Sequence, residues 1–275
     1  ITMSEFKNVI LEVADSVATL TISRPAALNA LNSETLDELN AALSEIEADT
    51  NVRAVILTGG PDKKGDAFKS FVAGADIGEM STLSKAEGEA FGKKGNDIFR
   101  RIETFPVPVI AAINGFALGG GCEISLSCDI RICSDNALFG QPEVGLGITP
   151  GFGGTQRLAR VVGVGKAKEM IYGARNIKAD EALRIGLVNS VYTTEELMPA
   201  AQKLAATIAG NAPIAVRACK KAINDGLDAA MDDAIVIEEK LFGSCFESED
   251  QRAAMANFLE KDPEKKLKKV PFQNK

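Results

Sequence analysis

Hydrophobic and polar residues alternate along the first part of the chain and then recur at helical spacing. Between residues 8 and 23 the alternation has a period of two, with Ala18, Leu20 and Ile22 on one face and polar residues on the other. A period of two predicts β-strands. After Ser33, a residue type that favours helix N-caps, apolar side chains recur three or four positions apart. This spacing predicts a helix that Ser33 caps.

The same order of elements returns further along the chain. Residues 52–58 form a short apolar run that ends in two glycines, which predicts a buried strand. A helical pattern over residues 85–104 follows, and residues 107–113 and 129–133 again have the composition of strands. Because the order of strand, strand or loop, and helix repeats, the sequence predicts an α/β architecture with short crossovers.

From about residue 194 the pattern changes to helices alone. Helical periodicity covers residues 194–209, 213–225, 228–242 and 248–260, without a convincing strand between them. A helical region of this size usually packs on a neighbour, which is either the core or a second subunit. We therefore divide the chain into a core, residues 1–193, and a helical oligomerisation region, residues 194–275. Its lysine-rich end, residues 261–275, is expected to be a solvated tail.

The composition narrows the class of protein. With 275 residues, of which 45% are hydrophobic, the chain can bury one substantial core. A net charge of −7 argues against a nucleic-acid partner, because no basic field attracts phosphates. No stretch of about 18 apolar residues suggests a membrane span. The chain start also lacks the pattern of a secretory signal, so we expect a cytoplasmic protein.

The chain contains no histidine, which excludes several kinds of catalytic site. Ser-His-Asp and Cys-His nucleophiles are ruled out, as are histidine zinc sites, and we expect no metal. The five cysteines lack paired C-x-x-C spacing and are interpreted as reduced, mostly buried residues. Cys122 is not expected to act as a nucleophile, because no histidine is present to activate it. Proton transfer therefore falls most naturally to carboxylates.

Two glutamates in glycine-rich surroundings are the strongest candidates. Glu123 directly follows Gly119-Gly120-Gly121-Cys122, and Glu143 follows Phe139-Gly140-Gln141-Pro142. Glycines let a ligand approach bare backbone N–H groups, and a helix that begins at Glu123 would direct its positive end at the same place. Backbone donors and two carboxylates together can move a proton beside a developing oxyanion. This combination indicates an enzyme.

The sequence around these residues is similar to the enoyl-CoA hydratase (crotonase) family, in particular to its short-chain bacterial hydratases. The likeness runs from residue 8 to about residue 260. It is most specific in the blocks Phe71-Val72-Ala73-Gly74-Ala75-Asp76-Ile77, Asn114-Gly115-Phe116-Ala117-Leu118-Gly119-Gly120-Gly121-Cys122-Glu123, Gly140-Gln141-Pro142-Glu143 and Pro150-Gly151-Phe152-Gly153-Gly154-Thr155-Gln156-Arg157. The resemblance implies a spiral of ββα repeats with a C-terminal helical region that builds trimers, two of which commonly stack into a hexamer.

The resemblance also assigns roles to individual residues. It implies that the backbone N–H groups of Ala75 and Gly120 polarise the oxygen of an enoyl thioester. Glu143 would then exchange a proton with the α-carbon, while Glu123 takes a proton from the water that adds to the β-carbon. The N–H group of Gly151 would position this water. Sequence alone does not decide which glutamate starts protonated, since the two carboxyls are coupled.

Coenzyme A is implied as part of the substrate, and no separate cofactor is expected. By resemblance, backbone groups near Ala73, Ala75, Asp76, Ile77 and Gly78 line its path. Arg24 and Lys69 are candidates for the phosphates, although each is equally explained as a surface charge. Three other charged residues are expected to form structural ion pairs or caps, namely Asp129, Arg157 and Asp180.

Other functions remain open at this point. An enoyl-CoA isomerase is the nearest alternative, although family members with that activity usually alter or move one of the two acids. A non-catalytic RNA-binding or scaffold protein on the same fold is a second alternative, which the acidic balance disfavours. The preferred acyl length is not visible in the sequence. Residues 81–96, which contain Gly88, Gly92 and Gly95, are a candidate for a mobile wall of the acyl pocket.

Overall fold

The described residues build two β-sheets, and the middle part of the chain alternates between them. The computed structural model describes residues 6–275, so the prediction about the chain start falls largely on residues outside this part. The strands are, in chain order, β1 (Val9–Ala14), β2 (Val17–Ile22), β3 (Ala54–Gly59), β4 (Ser70–Val72), β5 (Val109–Ile113), β6 (Phe116–Leu118), β7 (Ile130–Ser134), β8 (Leu138–Gly140), β9 (Ile177–Lys178) and β10 (Ser190–Tyr192).

The order of the strands confirms the predicted spiral. The larger sheet has the order β1-β2-β3-β5-β7-β10, and the smaller sheet has the order β4-β6-β8-β9. All pairs are parallel except β1 with β2 and β8 with β9. Each of the three turns β3–β4, β5–β6 and β7–β8 places one strand in each sheet and is followed by at least one helix. The repeated unit is therefore ββα.

The helices follow the predicted periodicity closely. They are α1 (Ser33–Ala48), α2 (Ile77–Met80), α3 (Lys85–Glu103), α4 (Gly120–Ser127), α5 (Gly154–Val162), α6 (Val164–Tyr172), α7 (Ala179–Arg184), α8 (Thr194–Ala209), α9 (Pro213–Leu227), α10 (Met231–Cys245) and α11 (Glu249–Leu259). Two predicted starts are wrong. The N-cap of α1 is Asn32, whose side chain accepts from the Thr35 N–H group, and not Ser33. Helix α4 begins at Gly120, one turn before Glu123.

Two clusters of buried side chains form the core. The larger one joins α1, α3 and α4 to the sheets and contains the predicted apolar face Ala18, Leu20 and Ile22. The smaller one covers the other face of the larger sheet, where Leu197 and Ala201 of α8 pack on Ile56 and other strand residues. Helix α8 therefore packs on the core, and the domain boundary at residue 193 stays a prediction.

A buried ion pair holds α9 to the core. The Lys220 ammonium group lies 2.7 Å from the Asp129 carboxylate and also donates to the carbonyl of Val107 at 3.2 Å. The second bond of this carboxylate comes from the Val109 N–H group at 2.7 Å. Burial raises the pKa of Asp129, and the Lys220 charge opposes this effect. Asp129 is thus a structural ion-pair residue, as predicted.

The end of the chain, residues 261–275, is largely exposed to solvent, as predicted, but it is also attached to the rest of the protein. The Asp250 carboxylate is buried and accepts from the backbone N–H group of Gln273 at 2.6 Å. Arg53 donates to the carbonyl of Phe272 at 2.8 Å. These contacts supply the donors that a buried carboxylate requires, and the lysine-rich composition gave no sign of them.

Within the described residues, no helix combines the length and the apolar character that a membrane crossing requires.

Replacing Lys220 by methionine should destabilise the protein strongly. The methionine keeps the length of the side chain but leaves the Asp129 carboxylate buried without its counter-ion. Removal of one partner of a buried pair costs about 3 kcal/mol of unfolding free energy. Urea unfolding at fixed protein concentration measures this loss.

The neighbouring Lys221 provides the matched control. It forms an ion pair with Asp225 at 2.6 Å on the same helix, but both side chains are largely exposed. Lys221→Met should therefore change the unfolding midpoint little. Equal midpoints for the Lys220 and Lys221 variants would show that the buried pair does not hold α9.

Candidate active site

A backbone N–H group is left free where the chain leaves β4. Ala75 forms an isolated parallel bridge with Leu31. In this bridge Leu31 donates to the carbonyl of Gly74 at 2.8 Å, and Asp76 donates to the carbonyl of Leu31 at 2.8 Å. The bridge uses the carbonyl of Gly74 and the N–H group of Asp76, so the N–H group of Ala75 takes no part in it. Gly74 permits this course with a φ of +111°.

The start of α4 lies directly against this segment. Gly119 precedes the helix with a φ of +50°, and Gly120 is its first residue. A Cβ atom on Gly121 would overlap the carbonyl oxygen of Val72, and one on Gly120 would lie 3.3 Å from the Ala75 nitrogen. The first N–H groups of a helix have no partner within it. The structure therefore brings together the two predicted oxyanion donors, Ala75 and Gly120.

Glu123 lies in the first turn of α4 and is 2% exposed. Its Oε1 atom accepts from the N–H groups of Phe152 at 2.9 Å and Gly154 at 2.7 Å. Burial raises the pKa of Glu123 to about 7, and the negative charge of Glu143 adds to this rise, while the two N–H bonds lower it. A carboxyl with this pKa can both take and give a proton at neutral pH.

Glu143 reaches the same place from the other side. It begins a 3-10 turn, Glu143–Leu146, and is 9% exposed. A Cβ atom on Gly119 would lie 2.7 Å from its Oε1 atom, so the carboxyl lies close to the glycine that precedes α4. Burial raises the pKa of Glu143 above its ordinary value. Both predicted acids therefore lie beside the N-terminus of α4.

Gln141 connects the two acids, although sequence reasoning gave it no role. Its side chain is fully buried. With its amide nitrogen directed at Glu143, it donates to the two carboxyl oxygens at 3.2 and 3.1 Å. A Cβ atom on Gly154 would lie 2.9 Å from this amide and 2.8 Å from Glu123 Oε1, so Gln141 lies close to both acids. The sequence signal that could have indicated this role is the position of Gln141, a side-chain amide that directly follows strand β8 and lies two residues before Glu143.

Gly151, the predicted water-positioning residue, precedes the residue that binds Glu123. Its carbonyl accepts from Asn96 Nδ2 at 2.8 Å, and the N–H group of the next residue, Phe152, donates to Glu123. The predicted location beside the acid is therefore observed, while its role towards a water molecule stays a prediction.

The residues predicted to line the coenzyme A path lie around Ala75 at the start of α2. The N–H group of Ala73 donates to the carbonyl oxygen of Leu28 at 3.1 Å, and that of Gly78 donates to the Asp76 carboxylate at 3.0 Å. The Ile77 side chain is half exposed. The N–H groups of Ala73, Asp76 and Gly78 are thus engaged within the protein, so a ligand would have to use other backbone groups of this segment.

The two candidates for the phosphates differ in their surroundings. The Arg24 guanidinium group pairs with Asp76 at 3.0 Å and also contacts the carbonyl of Ala30. This arrangement favours the structural explanation of Arg24. Lys69 is exposed, and its ammonium group lies 4.9 Å from the centre of the Phe116 ring, so it remains a candidate for the phosphates.

Three further residues have contacts or positions that favour structural roles and not catalytic ones. Arg157 pairs with Glu103 at 3.1 Å, as expected of a structural ion pair. Asp180 lies in the first turn of α7, where a negative charge is favourable. Cys122 is buried, which raises its pKa to about 12. A thiol with that pKa is protonated at neutral pH, which supports the prediction that it is not a nucleophile.

Residues 85–96 of the predicted mobile wall belong to helix α3. A Cβ atom on Gly95 would overlap the ring of Phe152, and one on Gly92 would lie 3.5 Å from the carbonyl oxygen of Gly151. These glycines therefore permit close packing of the helix on the loop. Movement of this wall stays a prediction.

The buried carboxyl of Glu123 should titrate near neutral pH. In protein labelled with ¹³C at the glutamate carboxyls, one resonance should have a midpoint near pH 7 and be absent from the Glu123→Gln variant. Glu143→Gln should move this midpoint to lower pH, because a neighbouring negative charge is lost. The exposed Glu87, whose pKa is lowered by the Ser84 hydroxyl group, provides the internal reference. Titration of every glutamate below about pH 5 would contradict the described burial.

Comparison with known proteins supports one family. The sequence matches the family described as enoyl-CoA hydratase/isomerase over residues 12–266. It is 60% identical over 257 residues to the short-chain-enoyl-CoA hydratase of Clostridium acetobutylicum, covering 94% of this chain and 96% of that protein. It is 52% identical over 256 residues to the crotonyl-CoA hydratase of Syntrophomonas wolfei, covering 93% and 96%.

A similar fold has been solved for a protein of lower identity. The enoyl-CoA hydratase of Bacillus anthracis superposes with a TM-score of 0.90 at 36% identity, covering 98% of this chain and 100% of that chain. The match extends through the sheets and the C-terminal helices. The chain belongs to the enoyl-CoA hydratase/isomerase family.

Proposed function

We propose that this protein is an enoyl-CoA hydratase that reversibly adds water to short 2-trans-enoyl thioesters of coenzyme A, such as crotonyl-CoA. The observation that carries this proposal is the pair of buried acids, Glu123 and Glu143, beside the free N–H groups of Ala75 and Gly120. The names of the two similar bacterial proteins support the short acyl group.

The backbone donors supply the electrophilic part of the reaction. A thioester oxygen bound by the N–H groups of Ala75 and Gly120 gains negative charge as water adds to the β-carbon. Donors already in place when charge develops are worth roughly 100- to 1000-fold in rate each. The dipole of α4 adds to the same field, because Gly120 is the first residue of this helix.

The two acids move the protons. In the hydration direction Glu123 takes a proton from the water as its oxygen bonds to the β-carbon, and Glu143 gives a proton to the α-carbon. The N–H group of Gly151 holds the water in this scheme. Both carboxyls have a raised pKa, which suits them to exchange protons in either direction. Dehydration of the 3-hydroxyacyl thioester follows the same path in reverse.

An isomerase is the alternative that the family allows. It would keep the oxyanion donors and move a proton between two carbons, which does not require two acids around one water. Glu123 and Glu143 both lie in the site and interact electrostatically, and this arrangement favours hydration. An RNA-binding role is disfavoured by the net charge of −7.

The protein should hydrate crotonyl-CoA, and Glu123→Gln and Glu143→Gln should each remove most of this activity. Each glutamine keeps the shape of the side chain but cannot exchange the proton, so acyl-CoA binding should remain measurable. The loss of enone absorbance measures hydration of crotonyl-CoA and of longer 2-enoyl thioesters, and calorimetry measures binding.

Glu12→Gln is the matched control, because Glu12 is an exposed glutamate on the edge strand β1. It should leave turnover unchanged. Near-normal turnover of either active-site variant would refute the assigned roles. Efficient movement of the double bond in a 3-enoyl thioester, with poor hydration, would instead identify an isomerase.

Association with further copies of the same chain is part of this proposal. Several large apolar side chains of α9, α10 and α11 are exposed in the single chain, namely Ile223, Leu227, Met231, Phe242, Phe258 and Leu259. An exposed apolar surface of this kind marks a protein–protein interface. We assign it to a homotrimer, or to two trimers stacked as a hexamer. The cysteines, all of which are free, agree with a cytoplasmic location.

Light scattering should therefore give a mass of three or six times the 29.1 kDa chain. Leu227→Glu and Phe258→Glu should lower this mass, because each places a charge on a side chain that is about four-fifths exposed in the single chain. Ile10→Glu is the control, since Ile10 is an exposed apolar residue on the edge strand β1. A single-chain mass for the unmodified protein would contradict the assignment.

A further inference from the structure

One peptide unit links helix α3 to the carboxylate of Glu123. Its carbonyl, that of Gly151, accepts from Asn96 Nδ2 at 2.8 Å. Its N–H group, that of Phe152, donates to Glu123 Oε1 at 2.9 Å. The atoms of a peptide bond lie in one plane, with the carbonyl and the N–H group pointing in opposite directions. Fixing the carbonyl therefore fixes the direction in which the N–H group points.

Asn96 is itself held in one orientation. Its Nδ2 atom donates to the Gly92 carbonyl at 2.9 Å as well as to Gly151. Both partners are carbonyl oxygens, so the amide nitrogen must face them. Asparagine is a poor residue for the interior of a helix, because its side chain competes for backbone hydrogen bonds. Its presence in α3 is explained by the contact with the loop.

The surface of α3 is shaped to admit this contact. Gly95 leaves space that the Phe152 ring occupies, since a Cβ atom there would overlap the ring. The Phe152 ring also packs on Phe91 and Phe99, with ring centres 5.3 and 5.4 Å away. The aromatic contacts place the loop against the helix, and the Asn96 amide then sets the orientation of the Gly151 carbonyl.

A side chain of α5, which is itself paired with α3, holds the following carbonyl. Arg157 Nη1 donates to the carbonyl of Phe152 at 3.0 Å, and Arg157 Nη2 pairs with Glu103 at the end of α3 at 3.1 Å. Two successive loop carbonyls are thus held from one helix, directly by Asn96 and indirectly by Glu103. The N–H groups of Phe152 and Gly154 on the same loop are left to bind Glu123.

We propose that Asn96 is a positioning residue for Glu123: by holding the Gly151 carbonyl, it directs the Phe152 N–H group at the carboxylate that exchanges a proton with water. A donor on the carbonyl also polarises the peptide and strengthens the bond from its N–H group. Asn96 acts only through this peptide. This inference rests on the proposed hydratase function.

Loss of the Asn96 donor should affect proton transfer more than substrate binding. In Asn96→Leu the side chain keeps a similar size but cannot donate, so the Gly151 carbonyl loses the bond that sets its orientation. Misplacement of a catalytic group on this scale lowers kcat about 10- to 100-fold. The value of KM for crotonyl-CoA should change by less than about threefold, because the groups of Ala75 and Gly120 are untouched.

The pH profile distinguishes this role from simple stabilisation of the fold. The bond from the Phe152 N–H group lowers the pKa of Glu123, so the pKa should rise when this bond is weakened. The acid limb of the kcat profile should then move to higher pH, because Glu123 must be ionised to take a proton from water. The other charged groups that act on Glu123 are Glu143, which raises its pKa, and Arg157, which lowers it. Neither is changed in the variant.

Arg101→Leu is the matched control on the same helix. Arg101 donates to Asn40 and Ser44 and pairs with Glu47, all on α1, and does not contact the loop. It should lower stability without moving the acid limb or kcat. If Asn96→Leu does not fold, Asn96→Asp serves instead. The aspartate has the same size, but its carboxylate oxygens cannot donate to the carbonyls of Gly92 and Gly151.

The outcomes separate this inference from the proposed function. If the unmodified protein fails to hydrate crotonyl-CoA, the proposed function is wrong. If it is active and the Asn96 variant behaves as the Arg101 variant does, with an unchanged acid limb and kcat, Asn96 is structural only and the inference is overturned. A lower kcat with a shifted acid limb supports it.

Discussion

The first turn of α4 lies directly on the end of β4, and no side chain fits between the two. A Cβ atom on Gly121 would overlap the carbonyl oxygen of Val72, and one on Gly120 would lie 3.3 Å from the Ala75 nitrogen. Because the contact is made by bare backbone, two N–H groups from distant parts of the chain lie side by side. The first residues of the helix carry Glu123 to the same place. The rest of the site depends on this close approach.

Burial of two acids beside these donors is costly, and the fold offsets the cost locally. Glu123 receives two backbone N–H groups, and Glu143 receives the amide of Gln141. Such bonds favour the ionised form, while burial and mutual repulsion favour the neutral form. For Glu123 these opposing effects leave a pKa of about 7. A carboxyl with this pKa gains and loses its proton near neutral pH. Histidine usually has this property in proteins, and the chain contains none.

The loop that binds Glu123 connects the site to the remainder of the molecule. It is held by side chains of α3 and α5, and Glu103 of α3 completes the ion pair with Arg157. Among the C-terminal helices, α9 is joined to the core by the Lys220 ammonium group, which pairs with Asp129 and donates to the Val107 carbonyl. The apolar surface that these helices expose is consistent with contact to another copy of the chain.

Local patterns were enough to predict the alternating strands, most helices and the two glutamates, because periodicity and residue chemistry are written in short stretches of sequence. The spiral order was implied by the resemblance to a known family and not by these patterns. The patterns failed at the N-cap of α1 and at the start of α4, and they did not reveal that the exposed end of the chain is attached to Asp250 and Arg53. The roles of Gln141 and Asn96 were also not predicted. Their partners, like the N–H groups that bind Glu123 from 29 and 31 residues away, are chosen by packing between elements. Only the tertiary structure brings those groups together, since no local pattern encodes a contact across such a separation.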